Sequence, residues 1–180
     1  MRALTIIAVL LASGAASLKA QHGGDVEIGG YGSYTRYDSR LQLDNQFGTG
    51  GRLGFFLGDH FSLEVDGNVS QPLSRFSGVG RTTASFASAS LVINSGGLYL
   101  LCGYSRLHMG PSAPYASDLN AVHGGLGERI FFVSDHAALR LEGRVYYRPP
   151  GGNPGSLDRI VQLAATAGMS FILGPGSKRN

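Results

Sequence analysis

Phe61, Leu63, Val65, Gly67 and Val69 alternate one for one with Ser62, Glu64, Asp66 and Asn68. Successive side chains on a β-strand point to opposite faces, so this run has one apolar face and one charged face. The pattern returns 76 residues later, where Leu139, Leu141, Gly143, Val145 and Tyr147 oppose Arg140, Glu142, Arg144 and Tyr146. Each run follows a tight turn ending in Asp-His, at Asp59-His60 and at Asp135-His136. A third turn, Asn94-Ser95-Gly96-Gly97, lies midway between them. Three tight hairpins therefore recur along the chain at a spacing of about 38 residues, each built on period-two strands.

Two more alternating segments flank the hairpins. Val26, Ile28, Gly30, Gly32 and Tyr34 oppose Glu27, Gly29, Tyr31, Ser33 and Thr35. Val161, Leu163, Ala165, Ala167, Met169 and Phe171 oppose Gln162, Ala164, Thr166, Gly168 and Ser170. Eight strands follow, near 25–37, 47–57, 61–70, 82–94, 98–107, 122–132, 137–147 and 159–173. Short turns join them at one end. The longer connections at the other end, 38–46, 71–81, 108–121 and 148–158, hold Pro72, Pro111, Pro114, Pro149, Pro150 and Pro154, as loops do.

An even set of antiparallel strands with an apolar and a charged face closes in two ways. A soluble lipocalin-like barrel turns the apolar face inward; a membrane barrel turns it to lipid. Strands of about 9–11 residues suit a tilted crossing, and only a closed barrel satisfies every strand amide in lipid. Composition bears on the choice. Only 15% of the chain is charged, and only Lys19 and Lys178 are lysine. A soluble barrel would carry many more charges on its outer face. The polar face here is mostly Gly, Ser, Thr and Ala, which suits an interior barely wide enough for side chains. The expected fold is therefore an all-β, eight-stranded, antiparallel, up-and-down transmembrane barrel, with the soluble exported barrel as its rival. Alternation puts Arg52, Glu64, Asp66, Glu128, Arg140, Glu142 and Arg144 in an interior ion-pair network that plugs the lumen, with Glu27 near one end. It turns Leu63, Val65, Leu139, Leu141, Val161, Leu163, Met169 and Phe171 to lipid. Arg129 falls on the lipid face by the repeat; either it snorkels to the interface or a bulge turns it inward.

The first twenty residues read as an export signal: Arg2, then an apolar run over 3–11, then the small residues Ala12-Ser13-Gly14-Ala15-Ala16-Ser17. Cleavage after Ala20 and cleavage after Ser17 both fit. The first leaves thirteen basic residues against twelve acidic. Residues 21–173 then form the barrel and 174–180 a short tail. This near balance, with no basic run, excludes a nucleic-acid partner. A lone cysteine, Cys102, excludes internal disulfides, and its place in the alternation turns it to lipid.

The Gly-Gly-Tyr-Gly-Ser-Tyr run at 29–34, the Phe-Phe-Val-Ser-Asp-His-Ala-Ala-Leu-Arg-Leu-Glu-Gly-Arg hairpin at 131–144 and the final Ala-Gly-Met-Ser-Phe at 167–171 resemble the eight-stranded outer-membrane β-barrels of Gram-negative bacteria, of the OmpA transmembrane-domain and OmpX type. The resemblance implies the cell outer membrane, a structural or surface-interaction role, and outer-membrane lipids as partners. It also implies the barrel-assembly machinery, which reads a terminal aromatic such as Phe171, and an extracellular ligand reached through the long loops. No cofactor is implied.

Chemistry is sparse. His60-Phe61-Ser62 has the His-x-Ser spacing of the lipid A deacylase barrels, but it lies at a short turn, the end opposite to that enzyme's working leaflet. A serine nucleophile also needs a base and an orienting group, so no catalytic residue is assigned. His108 and His123 flank the third long loop and with Asp118 outline at most a weak surface ion site; no metal is assigned. Tyr31, Tyr34, Tyr37, Tyr104, Tyr146 and Tyr147 fall near the loop-side strand ends, as an interface girdle would.

Overall fold

A computed structural model describes residues 22–110, 118–132, 136–150 and 159–174. Residues 1–21, which include the expected export signal, most of the tail, the Asp135 turn and the tips of two long loops lie outside them. Eight strands run in order: β1 (Val26–Arg36), β2 (Gln46–Phe56), β3 (Phe61–Ser70), β4 (Ala84–Ser95), β5 (Leu98–Met109), β6 (Asp118–Phe132), β7 (Ala137–Arg148) and β8 (Ile160–Leu173). Each pairs antiparallel with its neighbour, and β8 returns to β1, so the sheet closes without an edge. Among the described residues, no helix is long and apolar enough to cross a membrane.

Two outcomes differ from the alternation read off the repeat. Arg129 faces Arg140 across the β6–β7 ladder and points inward, 2% exposed. Glu128 faces Leu98 and Leu141 and lies on the outer face of the wall, not in the lumen. The reason is a single residue of turn length. In the first hairpin Leu57 closes on Phe61, with a 2.9 Å hydrogen bond. In the later one Phe132 pairs with Ala137. The turn therefore spans four residues instead of three, and one extra residue reverses the facing of everything before it.

Glycine makes room inside. A Cβ at Gly50 would lie 2.5 Å from the Tyr31 ring, and one at Gly168 the same distance from Tyr31 Cβ. Gly127 leaves space for the Tyr99 hydroxyl in the same way. Outward glycines differ: nothing lies within 4 Å of a Cβ at Gly143. Gly168→Ala is therefore expected to prevent clean closure of the β1–β8 seam, lowering the fraction that refolds to the compact band on unheated SDS gels. Gly143→Ala should leave that fraction unchanged.

Candidate functional site

The lumen is filled in layers. At the turn side Phe56, Val92, Ala138 and Ile172 are buried, each 3% exposed or less, among the buried polar side chains of Ser62, Asn94 and Ser170. Above them lies a buried charge network. Arg140 on β7 donates to Glu27 at 2.8 Å, to Glu64 at 2.6 Å, to Glu142 at 3.0 Å and to the Tyr99 hydroxyl at 2.9 Å. Arg144, four residues and two inward steps along β7, holds Asp66 at 2.6 Å, Glu64 at 3.1 Å and Glu142. Arg52 reaches Glu142 at 3.1 Å and Glu64 at 3.7 Å. Arg129 reaches Glu27 at 2.9 Å and Asn94 at 2.7 Å. Tyr31 donates to Asp66 at 3.0 Å and Tyr99 to Glu142 at 2.6 Å.

Four arginines thus meet four carboxylates: Arg52, Arg129, Arg140 and Arg144 against Glu27, Glu64, Asp66 and Glu142. Every acid accepts from at least one guanidinium. Such neutrality is what allows charges into a dehydrated space, since an unpaired one costs several kcal/mol. The Tyr99 ring lies 4.5 Å from both the Arg129 and Arg140 guanidinium carbons, a stacked arrangement that a planar guanidinium favours.

On the β4–β6 side a hydroxyl layer follows. Ser105 donates to Ser88 at 2.8 Å, so its oxygen accepts from His123 Nδ1 at 2.7 Å, and His123 Nε2 accepts from Ser90 at 2.9 Å. At the loop side Phe86, Leu107, Met109, Leu119, Tyr146 and Ile160 form an apolar cap. The β1–β2 connection folds over it: a 3-10 turn at Ser39–Leu41 drops Leu41 and Leu43 into the mouth, 3% and 1% exposed. A bridge from Leu43 to Ser74 and the Asp44–Arg75 ion pair at 2.7 Å stitch this roof to the β3–β4 connection. Tyr37 packs beneath it, bonded to Ser70 at 2.7 Å, and burial pushes its hydroxyl up to about 12. The cavity under the roof, beside Ser105 and Gln162, is about 10 Å³, roughly the room of one water.

The outer face is the inverse. Each strand presents an exposed apolar side chain: Ile28, Leu53, Val65, Ile93, Leu100, Leu126, Leu139 and Leu163 in order from β1 to β8, from 37% to 65% exposed. Leu63, Val161, Met169 and Phe171 join the same belt, and Leu141 sits in it half-buried. Cys102 is exposed there too. Of the six tyrosines assigned to a girdle, Tyr34, Tyr104 and Tyr147 face outward, whereas Tyr31, Tyr37 and Tyr146 are 6% exposed or less. Those three are lumen packing, because they share the facing of Glu27, Thr35 and Arg144. His108 points outward onto Asp118 at 2.6 Å while His123 is buried inside, so the two histidines cannot share an ion. Ser62 is buried and accepts from Asn94 at 3.3 Å; His60 is exposed in its turn.

Charge outside the network is sorted by end. The other seven arginines of the described residues, Arg36, Arg40, Arg75, Arg81, Arg106, Arg148 and Arg159, all lie on the loop side, with Asp38, Asp44 and Asp118. Among the described residues, the turn side carries Asp25, Asp59 and Glu128 and no arginine or lysine.

No protein-family model matches the chain, and no curated protein matches it by sequence. Its fold matches solved structures. The N-terminal β-barrel domain of Pseudomonas aeruginosa OprF is 17% identical, with a TM-score of 0.55 over 85% of this chain and 100% of that one. The outer membrane protein OprG of the same organism is 12% identical, with a TM-score of 0.56 over 86% and 99%. Ail, the attachment invasion locus protein of Yersinia pestis, in complex with the heparin analogue sucrose octasulfate, is 12% identical, with a TM-score of 0.51 over 85% and 100%. The fold is that of the eight-stranded outer-membrane β-barrels.

Proposed function

With that fold as premise, we propose that the chain, exported through residues 1–20, stands in the outer membrane as a sealed, non-enzymatic barrel that contacts the cell surroundings through its loop end. The observation that carries this reading is the inversion of faces: a continuous apolar belt outside and a neutral, filled, charged lumen inside. A lipocalin-like carrier needs the opposite, an apolar cavity within. Here the space inside is taken by side chains, and an apolar cluster caps its loop end. Apolar surface all the way round a wall is stable only against lipid. The seven loop-side arginines support a surface role toward anionic partners, the class of ligand held in the Ail complex. Outer-membrane lipids and the barrel-assembly machinery are the remaining partners.

Fractionation tests this. The mature chain is expected in the outer-membrane fraction, soluble only with detergent, with an SDS-gel mobility that changes on boiling. A closed ladder resists SDS because no strand edge is free. Recovery in the soluble periplasmic fraction, with no mobility change, would favour the soluble exported barrel.

A further inference from the structure

The outer wall is not uniform. Across the β7–β8–β1 seam it sinks into a groove of about 740 Å³. Its floor is Gly32, Gly143, Ala165 and Ala167, and Tyr34 and Phe47 form its loop-side rim. The floor glycines are not explained by packing or by backbone. Neither has a positive φ. A Cβ at Gly143 would meet nothing within 4 Å, and one at Gly32 only the Ala167 carbonyl at 3.9 Å. A strand glycine forfeits side-chain packing and marks a place where something else approaches the backbone closely.

The loop-side end of this groove is cationic. Arg36 lies two residues beyond Tyr34 on the same face, about 7 Å along the strand. Asp38 accepts from the amides of Arg40 at 3.0 Å and Val161 at 2.8 Å, and the Arg40 guanidinium donates to the Arg159 carbonyl. These bonds bring Arg36, Arg40 and Arg159 to one seam. Asp38 is the acid among them, and its two oxygens are taken by backbone N–H groups. Among the described residues none of the three arginines forms an ion pair, whereas Arg75 and Arg106 are matched by Asp44 and Asp118.

We infer that this groove binds a phosphorylated, acylated glycolipid of the outer leaflet, one acyl chain lying along the Gly-Ala floor and a phosphate held by Arg36, Arg40 and Arg159. The inference rests on the outer-membrane reading. A guanidinium cluster at headgroup level pairs with phosphate in bidentate geometry. A bare floor below it admits a chain without displacing a side chain. A second copy of the barrel fits less well, because symmetric docking across this seam would bring the unpaired arginines of both copies together.

The test uses the full mature barrel purified in detergent, with diphosphoryl lipid A as probe and native mass spectrometry as readout. One lipid A per barrel is expected to be retained. Dephosphorylated lipid A and phosphatidylglycerol should each be retained at least tenfold less. Arg36→Gln with Arg159→Gln, and separately Gly143→Leu, should each cut lipid A retention at least tenfold while the heat-dependent gel shift stays intact, which shows that both variants fold. Equal retention of the dephosphorylated lipid, or no effect of the arginine changes, would overturn the phosphate site. No effect of Gly143→Leu would overturn the groove. Phosphatidylglycerol retained as well as lipid A would overturn the glycolipid as occupant. All of these can fail with the barrel still in the outer-membrane fraction, so they are distinct from failure of the functional reading.

Discussion

Arg140→Ala is expected to lower the unfolding free energy of the lipid-embedded barrel by about 3–5 kcal/mol, the range for breaking a buried ion pair from one side. Arg140 holds Glu27, Glu64 and Glu142 together and is 1% exposed. Without it four carboxylates face three guanidinium groups with no water to take up the difference. Urea unfolding in vesicles, followed by loss of the compact gel band, measures the change. Adding Glu27→Gln restores neutrality and should recover part of the loss, so the pair should be non-additive. In planar bilayers the native protein should show no stable openings, because buried side chains fill the lumen and an apolar cluster caps its loop end. Steady ion-selective steps from the native protein, altered by Arg140→Ala, would show that the lumen conducts.

Val65→Arg is expected to cost about 2–4 kcal/mol in lipid, the price of an arginine near the bilayer midplane on a barrel's outer face. Val65 is mid-strand, 54% exposed, and flanked across the ladders by Leu53 and Ala89. Val65→Ala, which loses apolar contact but introduces no charge, should cost less. If the two variants unfold alike in vesicles, lipid does not cover that face.

Most of this fold is legible in the sequence because its governing signal is local. Period-two alternation identifies each strand, and β3 is bounded by sequence and structure alike at 61–70. Elsewhere the ends differ: β6 begins at Asp118 rather than near 122, since Asp118 and Asn120 read as loop residues although they extend the strand beyond the belt. The network is less legible. Its parity in β6 turns on whether a turn spans three residues or four, and two turns with the same Asp-His ending do not reveal that. The repeat puts Arg129 on the outer face, with a bulge as the alternative that turns it inward, and puts Glu128 inside; in the structure Arg129 is inside and Glu128 outside. Nothing local in the sequence marks Tyr99 as a lumen residue; the signal for it is a glycine, Gly127, directly across the ladder. The roof over the mouth was not legible at all, because Leu41 and Leu43 reach Phe86, Leu107 and Ile160 only once the barrel has closed.

The neutral network also has an evolutionary consequence. Eight charged side chains drawn from β1, β2, β3, β6 and β7 share so many partners that losing one strands another in a dry interior. Single replacements at these positions are poor intermediates, so drift must proceed by compensating steps on strands far apart in the chain. The loop ends carry no such mutual debt. Lineages descending from this barrel should therefore inherit the eight lumen positions as a block, and swap them as a block, while their outer surfaces diverge freely.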